Sequence, residues 1–250
     1  MTLAADEVHI ASGKYSRVSM RRTFPKFTRQ TFHEFAGQTI PRCQWAKAYS
    51  QVHYPKPEHH HGAVPQRIDH FQLLVPDVPR ALEFYTAMGF RLSEYIAPDG
   101  SDDPMFVFLQ RKGNPHDIVF AAGAGPRLHH AAFAIPESYL FFYVCDLATS
   151  MGFADNIEFG PGRHGPGHAL FVYLRDPDGH RIELFNTHYQ CMDIDDEPVR
   201  WDSSYLSRRN WQLPARERWF IEASRFAGIE PTEPPRKGNP MTLEKYVGAK

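Results

Sequence analysis

Hydrophobic and polar positions follow one another in the same order in two successive stretches of the chain. Each stretch has an apolar run of strand length, then apolar residues three and four positions apart, then three more runs of strand length. The helical segments end at Gly89 and Gly152. Strands are predicted at 68–75, 90–96, 105–111 and 117–121, and again at 127–134, 155–159, 169–175 and 181–186. The pattern predicts a β-α-β-β-β unit that occurs twice.

Short sequence matches align the two copies. Met-Gly-Phe occurs at 88–90 and at 151–153, and Ile-Asp-His-Phe at 68–71 corresponds to Leu-His-His-Ala at 128–131. One four-stranded sheet is too small to bury its own face, so we expect the copies to form a single α+β cup. The predicted organisation is an N-terminal arm at 1–66, a duplicated domain at 67–187 with modules 67–124 and 125–187, and a C-terminal extension at 188–250 with a short helix around 215–227.

Composition narrows the class of protein. Hydrophobic residues make up 42% of the chain and the formal net charge is −1, so neither nucleic acid nor a membrane is an expected partner. No apolar run reaches the ~20 residues of a membrane span, and the N-terminus lacks the apolar core of a signal peptide. The three cysteines show no paired spacing, which favours a reduced, cytoplasmic protein.

The N-terminal arm is basic and rich in aromatic residues, so a homo-oligomer is expected. Its histidine run at 59–61 could bind metal, but three histidines in a proline-flanked loop are more often solvated.

Three residues at matched positions indicate a metal site. The alignment places His70 opposite His130, each on the first strand of its unit, and Glu183 lies on the last strand of the second unit. Because a strand alternates its faces, only one of the two histidines at 129–130 can share the side of His70. A carboxylate that faces a buried interior needs a cation or a proton to offset its desolvation. Each residue alone also has a structural interpretation, as a satisfied buried histidine or a solvated glutamate.

The ligand set favours one group of metals. Two histidines and one carboxylate form the facial triad of non-haem Fe(II), and Mn(II) would also fit. In the first copy Val119 occupies the position of Glu183, so no fourth ligand is expected. With three protein ligands, the metal keeps free coordination positions for a chelating substrate.

Five motifs resemble those of a known family, the extradiol catechol dioxygenases of the vicinal oxygen chelate superfamily. They are Arg-Ile-Asp-His-Phe at 67–71, Arg-Lys-Gly-Asn-Pro-His-Asp at 111–117, Gly-Pro-Arg-Leu-His-His-Ala-Ala-Phe at 125–133, Gly-Pro-Gly-Arg-His-Gly at 160–165 and His-Arg-Ile-Glu at 180–183. Among two-domain members the likeness is to homoprotocatechuate 2,3-dioxygenases. The short form resembles the L-DOPA 2,3-dioxygenases of bacterial natural-product and antibiotic pathways, which implies a single-domain variant.

The resemblance implies a role for each matching position. His70, His130 and Glu183 match the iron ligands. His116 matches an acid/base beside the bound oxygen, and Tyr173 and His164 match residues at the substrate oxygen. The implied substrate-binding positions are Gln72, Phe108, Phe159, Arg208 and Arg209.

Three of these positions depart from the family pattern. Gln72 stands in place of an asparagine, Phe108 in place of a tryptophan, and Phe159 in place of an arginine that helps to hold the carboxylate of homoprotocatechuate. The missing arginine disfavours homoprotocatechuate as the substrate and leaves the ring-cleaving chemistry intact.

The resemblance thus implies proximal (2,3-) extradiol cleavage of a catechol with Fe(II) and O₂. L-DOPA is the first candidate substrate, and its semialdehyde product would cyclise. The alternatives are the same chemistry on another catechol such as homoprotocatechuate, or a non-catalytic binding or resistance protein of the same fold. The complete triad argues against the last.

Overall fold

The computed structural model describes residues 62–186, 188–207, 211 and 213–234. The histidine run at 59–61, Arg208 and Arg209 lie outside the described residues.

Ten strands and three α-helices are described. The first module contains β1 (Arg67–Val75), α1 (Val78–Ala87), β2 (Arg91–Ala97), β3 (Phe106–Gln110) and β4 (Ile118–Ala122). The second contains β5 (Arg127–Ala134), α2 (Leu140–Ser150), β6 (Ile157–Arg163), β7 (Leu170–Arg175) and β8 (Arg181–Asn186). The C-terminal extension adds β9 (Val199–Asp202), α3 (Glu217–Ile221) and β10 (Ser224–Arg225).

The strand order confirms the duplication. The sheet runs β6-β7-β8-β5-β1-β4-β3-β2-β9, so both modules share one internal order and meet where β1 pairs antiparallel with β5. In the parallel pairs, Phe71 faces Ile118 in the first module and Ala131 faces Ile182 in the second. The predicted α+β fold of two β-α-β-β-β modules is therefore confirmed, and the register makes Val119 the counterpart of Glu183.

Local signals explain where α1 begins and ends. The side chain of Asp77 caps the helix by accepting a hydrogen bond from the backbone N–H of Arg80 at 2.9 Å, and Pro79 follows in the first turn. Gly89 follows the helix with φ +87°, a conformation that favours glycine.

A β-bulge precedes the inward-facing histidine of each module. The pairing of β1 with β5 shifts between Ile68 and His70, and again at His129, so Asp69 and His129 are extra residues in the ladder. As a result, Asp69 is buried beside His70, and His129 beside His130. Strict alternation predicted His129 on the other face from His130, yet the two rings contact each other with Nδ1 atoms 2.8 Å apart.

The C-terminal extension differs from its prediction. The helix expected around 215–227 is limited to α3, and β10 then pairs with β5. Strand β9 was not predicted. It is only four residues long and shows no clear alternation of apolar and polar positions, so its sequence gives little indication of a strand. It adds parallel to β2, where the indole N–H of Trp201 donates to the buried Glu94 at 2.6 Å. None of the described helices has the length and apolarity of a membrane span.

A buried ion cluster ties the second module to α3. Glu158 on β6 accepts paired hydrogen bonds from Arg175 and from Arg181 at 2.8–3.1 Å. Arg181 also donates to the backbone carbonyls of His129 and Glu222, both at 3.0 Å. Burial alone would raise the pKa of Glu158, but hydrogen bonds from the two arginines lower it to about 2.

We therefore predict that Glu158→Gln lowers the free energy of unfolding at neutral pH by about 3 kcal/mol, because the buried guanidinium of Arg181 loses its counter-charge. The lowered pKa means that this contribution is complete above the ordinary glutamate pKa of ~4.3 and is lost as the pH falls towards 2. Urea unfolding at pH 7 and pH 3 should show a smaller difference from wild type at pH 3. Glu222→Gln, whose half-exposed side chain pairs with Arg175, should cost less than ~1 kcal/mol. Equal losses in both variants would contradict the prediction.

Candidate metal centre and active site

Three side chains from neighbouring strands converge at the centre of the sheet. His70 lies on β1, His130 on β5 and Glu183 on β8, and all three are buried. Carboxylate oxygen Oε2 of Glu183 is 3.1 Å from Nε2 of His70 and 3.0 Å from Nε2 of His130. The two Nε2 atoms are 3.4 Å apart. The structure thus brings together the three residues predicted to bind metal.

This donor set fits a divalent transition metal. One ligand atom from each of the three residues lies within 4.8 Å of the others. Burial alone would raise the pKa of Glu183, but contacts with His130, His164 and His70 hold it well below its usual range, so the carboxylate is charged. Two imidazoles and one carboxylate suit Fe(II) and Mn(II). Val119 supplies no ligand.

Hydrogen bonding fixes the orientation of the His70 ring. Its Nδ1 is 3.0 Å from Oδ2 of Asp69, which is buried and also accepts a hydrogen bond from Asn114. A carboxylate can only accept, so Nδ1 of His70 donates to Asp69, and Nε2, the atom that faces Glu183, is the nitrogen available to a metal.

A pocket with a cavity volume of about 90 Å³ is lined by these three residues. Its wall is mostly apolar and aromatic, including Ile96, Phe106 and Phe108. The C-terminal extension contributes part of the wall through Tyr205, Leu206 and Trp219.

His116 lies beside His70. Its ring centroid is 4.3 Å from that of His70 and 5.3 Å from that of Phe108. Burial, with smaller effects of His70 and His188, lowers the pKa of His116 well below its ordinary value. The imidazole is therefore neutral near pH 7, and its Nδ1 has no hydrogen-bond partner among the described residues.

His164 and Tyr173 form a pair beside Glu183. Nε2 of His164 is 3.0 Å from the hydroxyl of Tyr173 and 3.3 Å from Oε1 of Glu183. The His164 ring stacks on Phe171 at 3.8 Å, which limits its rotation. Burial and the charge of Glu183 raise the pKa of the Tyr173 phenol well above its ordinary value, so it keeps its proton.

The predicted substrate-binding positions separate into three groups. Gln72 and Phe108 line the pocket, and the amide nitrogen of Gln72 has no partner among the described residues. Phe159 is not among the lining residues; its ring stacks parallel to Tyr173 at 5.9 Å and meets Trp219 edge-on at 5.4 Å, behind the wall. The positions of Arg208 and Arg209 are outside the described residues.

Residues 67–184 match the family described as the Glyoxalase/Bleomycin resistance protein/Dioxygenase superfamily. This match spans almost the whole of the duplicated segment 67–187. A manganese-dependent 2,3-dihydroxybiphenyl 1,2-dioxygenase from Geobacillus genomosp. 3 is 29% identical over 203 residues, which cover 78% of this chain and 60% of that protein. A metapyrocatechase from Pseudomonas sp. strain CF600 is 29% identical over 148 residues, covering 57% of this chain and 46% of that one.

Solved structures are similar to this chain as well. A variant of homoprotocatechuate 2,3-dioxygenase from Brevibacterium fuscum aligns with a TM-score of 0.66 and 34% identity over 73% of this chain and 52% of that chain. An extradiol ring-cleaving dioxygenase from the same organism gives a TM-score of 0.65. The chain spans only about half the length of these structural relatives.

The sequence analysis did not identify several residues that line the pocket, in the duplicated domain and in the C-terminal extension. His188 lines the pocket, stacks on Phe185 at 4.5 Å and lies 5.0 Å from His116. Its two nitrogens have no hydrogen-bond partner among the described residues, although Nδ1 lies 3.7 Å from Oδ2 of Asp69. Burial, with a smaller effect of His70, lowers the pKa of His188 to about 4. A single histidine after a strand has no pattern that marks it, and Tyr205, Leu206 and Trp219 likewise reach the pocket only through the fold.

The loop before β7 sets the space around His116. Gly167 has φ +70°, and a Cβ there would lie 3.2 Å from Cε1 of His116. Its backbone N–H donates to Glu94 on β2 at 2.8 Å, so the loop of the second module is held against the first module.

Gly167→Ala is therefore predicted to lower turnover by displacing His116, besides costing about 1–2 kcal/mol for an alanine at positive φ. Gly179→Ala is the matched control, since Gly179 has φ +85° and open space where the Cβ would be. Thermal unfolding should show similar losses for both variants, while steady-state kinetics should show a lower kcat for Gly167→Ala alone. A normal kcat for Gly167→Ala would contradict this account of the loop.

Proposed function

We propose that this chain is an extradiol dioxygenase that cleaves the aromatic ring of a catechol between positions 2 and 3, with Fe(II) and O₂. The observation that carries the proposal is the convergence of His70, His130 and Glu183 below a pocket. The names of the relatives support it, since they include dioxygenases of dihydroxylated aromatic compounds.

His70, His130 and Glu183 would hold the divalent ion. When bound there, the ion would supply Lewis acidity to the catechol oxygens and a path for electrons to O₂. The protein's own contribution is to present three ligands on adjacent strands of one sheet. The catechol would then lie between His116 on one side and the His164–Tyr173 pair on the other.

His116 and Tyr173 would have different roles in proton transfer and hydrogen bonding. Neutral His116 can take a proton from a catechol hydroxyl and return it during ring opening. Tyr173 keeps its phenolic proton and can donate a hydrogen bond to the other catechol oxygen, with His164 holding the phenol in place at 3.0 Å. The aromatic wall formed by Phe106, Phe108 and Trp219 excludes water, which strengthens these interactions.

L-DOPA is the substrate we favour, and homoprotocatechuate is the second candidate. Phe159 supports L-DOPA, because the arginine that helps to bind the carboxylate of homoprotocatechuate in the family is absent. The name of the structural neighbour favours homoprotocatechuate. Fe(II) is the metal we favour from the ligand set, and the name of one relative gives a specific reason to test Mn(II) as well.

One anaerobic experiment tests the function. The metal-free protein is loaded with Fe(II) or Mn(II), given L-DOPA or homoprotocatechuate, and then exposed to air while absorbance and O₂ uptake are recorded. A yellow product and one O₂ consumed per catechol support ring cleavage, and colour with L-DOPA alone identifies the favoured substrate. Protein that holds metal but gives no product with either catechol would overturn the proposal in favour of a binding protein.

A further inference from the structure

The two bulged residues occupy equivalent positions and contact equivalent atoms. Asp69 and His129 each directly precede a proposed metal ligand, and each contacts Nδ1 of that ligand. In the first module the partner is a carboxylate. In the second it is another imidazole, which needs a partner of its own to define which nitrogen carries the proton.

The backbone carbonyl of Trp219 in α3 determines which nitrogen of His129 carries the proton. Nε2 of His129 lies 2.7 Å from this oxygen, which can only accept, so Nε2 carries the proton. A neutral imidazole then has a lone pair on Nδ1, and this atom lies 2.8 Å from Nδ1 of His130. When a metal ion takes the lone pair on Nε2 of His130, the atom that faces Glu183, His130 must donate to His129 from Nδ1.

The contacts that connect Trp219, His129 and His130 are closely packed. His129, His130 and Trp219 are all buried, and the rings of His129 and Trp219 meet edge-on at 4.9 Å. Arg181 donates to the carbonyl oxygens of His129 and Glu222, so the same guanidinium holds the bulge and the end of α3. Trp219 lies beyond the segment 67–184 that matches the superfamily.

We propose that His129 is a positioning residue for the metal ligand His130, and that the Trp219 carbonyl sets its tautomer, so that the C-terminal extension is part of the metal site. This inference rests on the metal site of the proposed function. Outer partners of this kind typically contribute 10–100-fold to metal affinity.

Imidazole ¹⁵N NMR of the wild-type full-length chain tests the tautomers directly. Spectra of the protein loaded with diamagnetic Zn(II) should show His129 as the Nε2–H form. They should also show His130 as the Nδ1–H form. A His129 protonated at Nδ1 would overturn the proposal, whether or not any variant folds.

Metal affinity tests the role in positioning. His129→Phe keeps the ring but loses both hydrogen bonds, and should weaken Mn(II) binding, measured by competition with a chelator, by about 10–100-fold. His129→Gln keeps one donor and one acceptor and should recover most of the affinity. His180→Phe is the control, because His180 is exposed and contacts Ser224 rather than the site. Thermal unfolding of each metal-free variant separates lost affinity from lost folding.

The outcomes distinguish this proposal from the function on which it rests. Equal Mn(II) affinity in wild type and both His129 variants would overturn the positioning role while leaving the dioxygenase proposal standing. A wild-type chain that binds neither Fe(II) nor Mn(II) would overturn both, even with the predicted tautomers present.

Discussion

Replacing Glu183 with glutamine should abolish metal binding and, with it, ring cleavage. The carboxylate provides the negative charge in the proposed site, and its Oε2 faces both histidine ligands at 3.0–3.1 Å. A neutral amide is a poor ligand for Fe(II) or Mn(II), so the affinity should fall by more than the ~100-fold upper range for loss of an outer partner. Metal titration and metal content after dialysis measure the effect.

Glu137→Gln is the matched control for that experiment. Glu137 is exposed and lies before α2, away from the pocket, so the same chemical change should leave metal content and activity at wild-type levels. If Glu183→Gln retained wild-type metal content, the proposed ligand set would be wrong.

His116→Phe should give the opposite combination, with metal retained and turnover lost. His116 is not one of the three proposed ligands, and phenylalanine fills the same space between His70 and Phe108. Loss of a general acid/base typically costs about 10²–10⁴-fold in rate. The value of kcat with L-DOPA or another catechol that is turned over, measured with metal content determined on the same sample, tests the prediction.

The surface variant His180→Phe again provides the control and should keep normal turnover. An unchanged kcat in His116→Phe would remove His116 from proton transfer. A variant without metal would instead assign it to metal binding, an outcome for which His116 has a specific alternative, since His70, His116 and His188 form a second group of three imidazoles.

The sequence was most informative where the signal is local. The spacing of apolar residues, together with the glycines that end the helices, predicted all eight strands and both helices of the two modules. The predicted and observed boundaries differ by a few residues. The greatest extension was in β6, which continues to Arg163 through a Gly-Pro-Gly segment that has no strand propensity of its own. Internal alignment also predicted that Val119 and Glu183 are equivalent, which the register confirms.

Residues with no local pattern could not be found this way. His188, Tyr205 and Trp219 reach the pocket because the C-terminal extension packs against it, and no periodicity links them to the repeat. Strand β9 forms because β2 offers a free edge and Glu94 accepts the Trp201 indole N–H. Phe159 was placed at the substrate by position, but aromatic packing keeps it behind the wall.

The sequence by itself determined the doubled α+β unit and the three residues most suited to a metal, because strand period, helix stops and the spacing of a repeat are properties of neighbouring positions. Only the tertiary structure decided how those three are oriented and enclosed. The bulges at Asp69 and His129, the carbonyl of Trp219 and the wall supplied by the extension depend on contacts between distant segments. Such contacts arise from packing and hydrogen-bond geometry, which leave no regular mark along the chain.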